Sequence, residues 1–199
     1  MSEYEFKQRD FQHPSILFRL EDMLKAILGG PLLYNSYYKT FGLKGDERIL
    51  DFGCGGGAGS RCLANLLNHG HLTCVDSSYY LIDRAKKRLQ KFDNVECLHG
   101  DIRELNIPDS TFDVLTIIHV IHDISPEERS DIIKVLGRKL KEGGKLYIRE
   151  RIEKSHGIPV GELRALLREA GFKEIEYKEN QWEYIGKYHK VSGHLKMGS

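Results

Sequence analysis

The chain has 199 residues, 40% hydrophobic and 30% charged, with 30 basic side chains against 29 acidic ones. Length and composition point to one globular domain with a proper core. The formal net charge of +1 leaves no electrostatic footprint for nucleic acid, and no apolar run approaches the ~20 residues that span a bilayer.

The N-terminus, MSEYEFKQRD, is polar and carries acids, unlike a signal or transit peptide. The cysteines (Cys54, Cys62, Cys74 and Cys97) form no Cys-x-x-Cys pair. A cytoplasmic, disulfide-free protein without a zinc centre is the expectation. Residues 16–28 and 32–41 read as two helices parted by Gly29-Gly30-Pro31, and residues 1–46 are assigned to an N-terminal helical cap. The cap is expected over the open edge of a sheet built from residues 47–199, the whole forming one compact unit.

From Arg48 onward, apolar strand-like runs alternate with helical patterns. Strands are predicted over 49–52, 71–76, 95–98, 112–118 and 145–148. Helices are predicted from Ala58, from a Ser77 or Ser78 cap, from the capping box Ser125-Pro126-Glu127-Glu128 to Gly143-Gly144, and from Val160 to Ala170. Two β-rich runs, 172–177 and 182–188, close the chain. Their short link suits antiparallel pairing. Alternating strands and helices describe a Rossmann-like, doubly wound α/β sheet.

The stretch ILDFGCGGGAGS leaves the first strand and enters a helix, which places it at the ligand-binding edge of such a sheet. Gly53-x-Gly55-x-x-Ala58 also satisfies the dinucleotide fingerprint, with Asp76 about where a ribose-binding acid belongs, so an NAD-linked oxidoreductase is one reading. Two carboxylates argue against it. Asp51, just ahead of the glycines, would repel a pyrophosphate. Asp101, in His99-Gly100-Asp101-Ile102, suits the amino edge of an adenine. Adenine, ribose and a cationic end together describe S-adenosylmethionine.

On ILDFGCGGGAG, TCVDSS, HGDIREL, FDVLTIIHVIHDISPEE and LKEGGKLYI, the sequence resembles the class I S-adenosylmethionine-dependent methyltransferases of the small-molecule type. The resemblance implies a seven-stranded sheet with the last strand antiparallel. By matching position it implies Asp51, Gly53, Cys54 and Gly55 around the methionine part, and Asp76 on the ribose hydroxyls. It places Ser77 along the adenine, Asp101 with the Ile102 amide at its edge, and the end of the fourth strand near His119 by the ammonium group. S-adenosylhomocysteine would be the product.

The acceptor side is less determined. His122-Asp123 is similar to the His-Asp pair of plant-type O-methyltransferases, which makes His122 a candidate base and His119 a second one. Both histidines can equally be pocket lining. Tyr34 and Tyr37 are candidates for the roof of the acceptor pocket, and Arg149 for a grip on a polar substrate, although packing and a solvated charge cluster explain them as well. The place after the fourth strand reads IIHVIHD, without the proline run common in base-modifying enzymes that close on a flipped nucleobase. The expectation is therefore methylation of a small molecule, at oxygen first with carbon or nitrogen open, and with no nucleic-acid, membrane or metal partner. A non-catalytic sensor of S-adenosylmethionine is the alternative, and the oligomeric state is left open.

Overall fold

The computed structural model describes residues 4, 6, 10–17, 20, 24 and 34–191. Most of the first expected N-terminal helix therefore lies outside the described residues, as do positions 32 and 33 of the second. The described part of the second is a short helix, α1 (Asn35–Lys39).

Seven strands follow: β1 (Arg48–Phe52), β2 (His71–Asp76), β3 (Val95–His99), β4 (Phe112–Ile118), β5 (Leu140–Arg151), β6 (Phe172–Glu179) and β7 (Glu183–Lys190). They form one sheet in the order β3-β2-β1-β4-β5-β7-β6. The first five are parallel, while β7 pairs antiparallel with both β5 and β6. Residues 180–182 link β6 to β7, too few for a crossover, so the chain must reverse. The last strand thus slots between β5 and β6.

Side-chain alternation along the strands sorts the core onto two faces. Leu50 and Phe52 of β1, Leu115 and Ile117 of β4, and Leu146 and Ile148 of β5 pack with α4 (Pro126–Lys139) and α5 (Val160–Glu169). Ile49, Val114 and Tyr147, one residue out of step, pack on the other face with α2 (Ala58–Ala64) and α3 (Tyr79–Leu89). Ser78 caps α3, its side chain accepting the Leu81 amide at 3.2 Å. No helix among the described residues is long and apolar enough to cross a membrane.

Two local expectations need correction. The helix predicted to run to Gly143-Gly144 stops at Lys139, because Leu140, fully buried, pairs with Phe112 and begins β5. Gly143, at φ +71°, then takes a backbone conformation that other residues resist. Ser125 precedes α4 without capping it through its side chain. Its hydroxyl donates instead to the Glu128 carboxylate at 2.8 Å.

An aromatic pair helps tie the segment ahead of β1 to the sheet. Phe41 stacks on Tyr147 with 3.7 Å between ring centroids, and the Tyr147 hydroxyl donates to the Phe41 carbonyl at 2.7 Å. Tyr147→Phe keeps the stack and strands the buried carbonyl. It is expected to cost about 1–2 kcal/mol of stability in urea denaturation, whereas an unchanged midpoint would mean that the stack alone holds the segment.

Candidate functional site

The carboxyl ends of the parallel strands open onto a cavity of about 570 Å³. Its floor is the loop between β1 and α2. Gly53, Gly55 and Gly57 all have positive φ, and the Gly53 and Cys54 amides donate to the Val75 carbonyl at 2.8 and 3.1 Å. A Cβ at Gly53 would lie 2.3 Å from Val120 Cγ2, so only glycine lets the loop and the turn after β4 approach this closely. A Cβ at Gly55 would meet nothing within 4 Å. That backbone faces open space.

Asp76 ends β2 on the cavity wall, held by the Gly55 amide on one oxygen and the Ser78 amide on the other, each at 2.8 Å. Burial raises its pKa, and the two amides oppose that rise. Each oxygen keeps a lone pair for a further donor, so the carboxylate can accept a pair of hydroxyl groups. Ser77 lies beside it, and its carbonyl accepts from Gln12 Nε2 at 2.8 Å. Phe6 and Phe11 also line the cavity, which brings described residues of the N-terminal segment to this edge of the sheet.

Asp101 and Ile102 line the cavity as well. The Arg103 guanidinium grips Asp101 through Nε at 2.9 Å and Nη2 at 2.5 Å, and holds its carboxyl below the usual range. Nη2 also reaches Glu128 at 2.7 Å. Nothing in the sequence pattern singled out this arginine.

Asp51 does not line the cavity. It shares a sheet face with Ile49, on the side covered by α2, and accepts from Ser60 Oγ at 2.6 Å while only 4% exposed. Burial pushes its pKa up to about 6, the Ser60 hydrogen bond lowers it, and the negative charge of Asp76 raises it further. Tyr34 lines the cavity, whereas Tyr37 and Arg149 do not. Arg149 lies over the Tyr37 ring, 5.7 Å from its centroid, and donates to Glu183 at 2.6 Å.

The turn after β4 supplies the polar end of the cavity. His119 adopts a positive φ of 56° and hydrogen-bonds Glu183 through Nε2 at 3.0 Å. Burial alone would raise the Glu183 pKa, but His119 and Arg149 together hold it at about 2. His122 turns inward and is 4% exposed. Its Nδ1 lies 2.7 Å from Glu150 Oε2, and Glu150 Oε1 accepts the Val120 and Ile121 amides at 2.8 and 2.7 Å. Glu150, with no exposure at all, is therefore the residue that sets the imidazole's orientation. Asp123, the partner suggested by sequence adjacency, sits on the other side, with Oδ2 3.4 Å from His122 Nε2. In the neutral tautomer whose Nδ1–H donates to Glu150, Nε2 carries the lone pair. The pairing of β4 with β5, in which Ile118 faces Arg149, is what brings Glu150 beneath this turn.

Such a cavity fits a nucleoside with a cationic tail. Asp76 offers paired acceptors, the Gly55 backbone faces open space, and the volume is of the size usual for a cofactor with a small substrate. The fold and the site thus define a nucleoside-cofactor-binding α/β protein. Residues 49–144 match the family described as "Methyltransferase domain". That stretch, a little under half of the chain, carries a likeness to S-adenosylmethionine-dependent methyltransferases, and S-adenosylmethionine is the cofactor that the likeness implies.

Similar proteins place the fold in the same company. The structure of a SAM-dependent methyltransferase from Aquifex aeolicus superposes with a TM-score of 0.73 at 24% identity, covering 90% of this chain and 99% of that one. A TehB-like SAM-dependent methyltransferase from Corynebacterium glutamicum does so at 0.73 with 17% identity, covering 87% and 96%. By sequence, the demethylmenaquinone methyltransferase of Clavibacter sepedonicus is 35% identical over 104 residues, 52% of this chain and 41% of that protein. The mitochondrial ubiquinone biosynthesis O-methyltransferase of Schizosaccharomyces pombe is 36% identical over 107 residues, 51% and 37% of the two chains. The matches span about half the length of these curated relatives or less.

The buried Asp51 makes a pH-dependent prediction. Its folded pKa of about 6 lies above the ordinary 3.8, so the folded protein retains a proton there that the unfolded chain has lost. Stability from this group therefore falls as pH rises between those values. Asp51→Asn cannot titrate and should gain on the native protein across that window, by up to about 3 kcal/mol. Urea denaturation at matched pH values reads the difference, and a constant offset across the window would contradict the assignment.

Proposed function

We propose that the protein transfers the methyl group of S-adenosylmethionine to an oxygen of a small-molecule acceptor. The observation that carries this reading is that the glycine loop, Asp76 and the His122–Asp123 turn all face one cavity. When bound, S-adenosylmethionine supplies a methyl group on a sulfonium, whose sulfur keeps the bonding pair and becomes a neutral thioether.

In this reading Asp76 holds the ribose hydroxyls in charge-assisted hydrogen bonds. The loop backbone from Gly53 to Gly55 lies along the methionine part, with Cys54 as a passive neighbour, and Ser77, Asp101 and Ile102 surround the adenine. His119 is assigned to the ammonium end through its backbone, because its side chain is committed to Glu183. Phe6, Phe11, Tyr34 and Ile132 give the remaining wall an apolar character suited to a small organic acceptor. The His122–Asp123 side is where an acceptor hydroxyl would lose its proton as its oxygen bonds the methyl carbon. Holding those atoms in line is worth about 7–11 kcal/mol of the barrier. Oxygen is favoured over carbon because His122 and Asp123 offer a proton acceptor at the acceptor side, and the similar fission-yeast protein is named an O-methyltransferase.

Two measurements check the reading. Calorimetric titration should show S-adenosylmethionine and S-adenosylhomocysteine binding, weakened roughly 10- to 100-fold in Asp76→Ala by loss of a charge-assisted pair. NAD should not bind. Transfer of labelled methyl to a panel of small phenols, quinols and hydroxy acids should fall about 10²–10⁴-fold in His122→Ala, with cofactor affinity retained. Tight cofactor binding without any methylated product would favour a sensor, and NAD binding alone would move the protein to another class.

A further inference from the structure

His122, Asp123 and His156 converge at the edge of the cavity. Each offers one ligand atom, and these atoms lie within 4.8 Å of one another. Asp123 is the hub, with Oδ2 3.4 Å from His122 Nε2 and Oδ1 3.2 Å from His156 Nε2. The two imidazoles stand perpendicular, at 88° with centroids 4.9 Å apart, so they approach the carboxylate from different directions. We propose that these three side chains form a binding site for a divalent transition-metal ion, with zinc the best fit.

The spacing is the first argument. An ion with bonds of about 2.0–2.1 Å to nitrogen and oxygen in a tetrahedron separates its ligands by about 3.3 Å. The two measured separations, one to each oxygen of Asp123, lie near that value, and the three ligand atoms together fall within 4.8 Å, so the carboxylate must turn and the imidazoles draw in for all three to reach one ion.

The second argument is the support behind the ligands. A metal-binding histidine nearly always passes its other ring N–H to a carboxylate or carbonyl, which fixes the ring and raises its basicity. Glu150 does this for His122, at 2.7 Å from Nδ1. The Arg129 guanidinium braces the same turn from behind, donating through Nε to the Ile124 carbonyl at 3.0 Å and forming an ion pair with Glu162 at 2.6 Å. His156 is carried by a tight turn after β5. Its amide donates to the Glu153 carbonyl at 3.2 Å, and Ile158 closes back onto the Arg151 carbonyl at 3.0 Å. Buried Ile121, Ile152 and Ile158 pack beside these turns.

The donor set selects the ion. Two imidazoles and one carboxylate suit zinc, cobalt or iron(II), whereas magnesium and calcium prefer oxygen donors alone. Three protein ligands leave a fourth position, the pattern of zinc sites that take up a small molecule and not of closed structural ones. His122 and Asp123 both line the cavity, so the ion would stand in its wall. With an ion bound, the Nε2 lone pair of His122 is a ligand, and the imidazole is no longer the base that the sequence suggested. His119 is not part of the ligand set, because its side chain is turned toward Glu183.

The site is read from ligand geometry, and it shares His122 and Asp123 with the wall assigned to proton removal above, so an ion bound there and base catalysis by His122 exclude one another. Its test contains neither cofactor nor acceptor. The full chain, stripped with a chelator and dialysed, would be titrated calorimetrically with zinc chloride, and in parallel with cobalt(II) under visible absorption. One zinc ion per chain is expected, with a cobalt d–d band of low-coordination type. His156→Ala and Asp123→Asn should each abolish both signals while leaving the circular dichroism spectrum and thermal transition of the metal-free protein unchanged. Glu150→Gln should weaken zinc about 10- to 100-fold, as loss of a supporting carboxylate does elsewhere. No stoichiometric binding, or binding untouched in both folded ligand variants, would overturn the proposal.

Discussion

One carboxylate without access to solvent organises the working end of this molecule. Glu150 sits at the end of β5 and accepts two consecutive backbone amides, those of Val120 and Ile121, together with His122 Nδ1. A buried charge is tolerated only when its oxygens are satisfied, and three donors provide that. In return the carboxylate dictates the path of the chain as it leaves β4. The 3₁₀ turn over residues 121–123, the inward set of His122 and the placement of Asp123 follow from it. Removing one partner would leave a buried charge exposed to its full desolvation cost, so turn and strand end are expected to change together.

The same logic runs through the cofactor side. The Asp76 carboxylate is met by two amides from two different segments, the glycine loop and the start of α3. Asp76 thus stands in the cavity wall itself, whereas Glu150 holds from behind the turn that carries His122 and Asp123 into it. The Gly53 loop packs against Val120, whose amide donates to Glu150. Loop, turn and strand end form one interlocked set, and the ligand-facing atoms need little rearrangement to engage a cofactor.

Much of the architecture was legible because it rests on periodicity. Strand-length apolar runs, the alternation with helices and the three-residue reversal between β6 and β7 are local signals, and the sheet follows from them. The glycine loop and Asp76 were legible for a related reason, since chemistry at the end of the first strands is carried by residues close in sequence. The acceptor side is different. Asp123 was the evident partner of His122 because it is its neighbour, whereas the side chain that binds Nδ1 comes from a strand 28 positions away. His156 and Arg103 were overlooked for the same reason, being brought to the site by turns without a residue pattern of their own. Its place beside the glycines makes Asp51 read as a neighbour of the ligand, a role that its absence from the cavity lining does not support. The two-residue period of β1 turns it toward Ser60 and α2 instead.

A crystal structure with S-adenosylhomocysteine bound tests the central claim most directly, because it asks at once where the nucleoside lies and which way the sulfur points. The account predicts ribose hydroxyls on Asp76, the homocysteine chain along Gly53–Gly55, and the sulfur directed at the open side of the cavity beside His122. A nucleoside seated elsewhere, or a sulfur facing away from the His122–Asp123 turn, would contradict it.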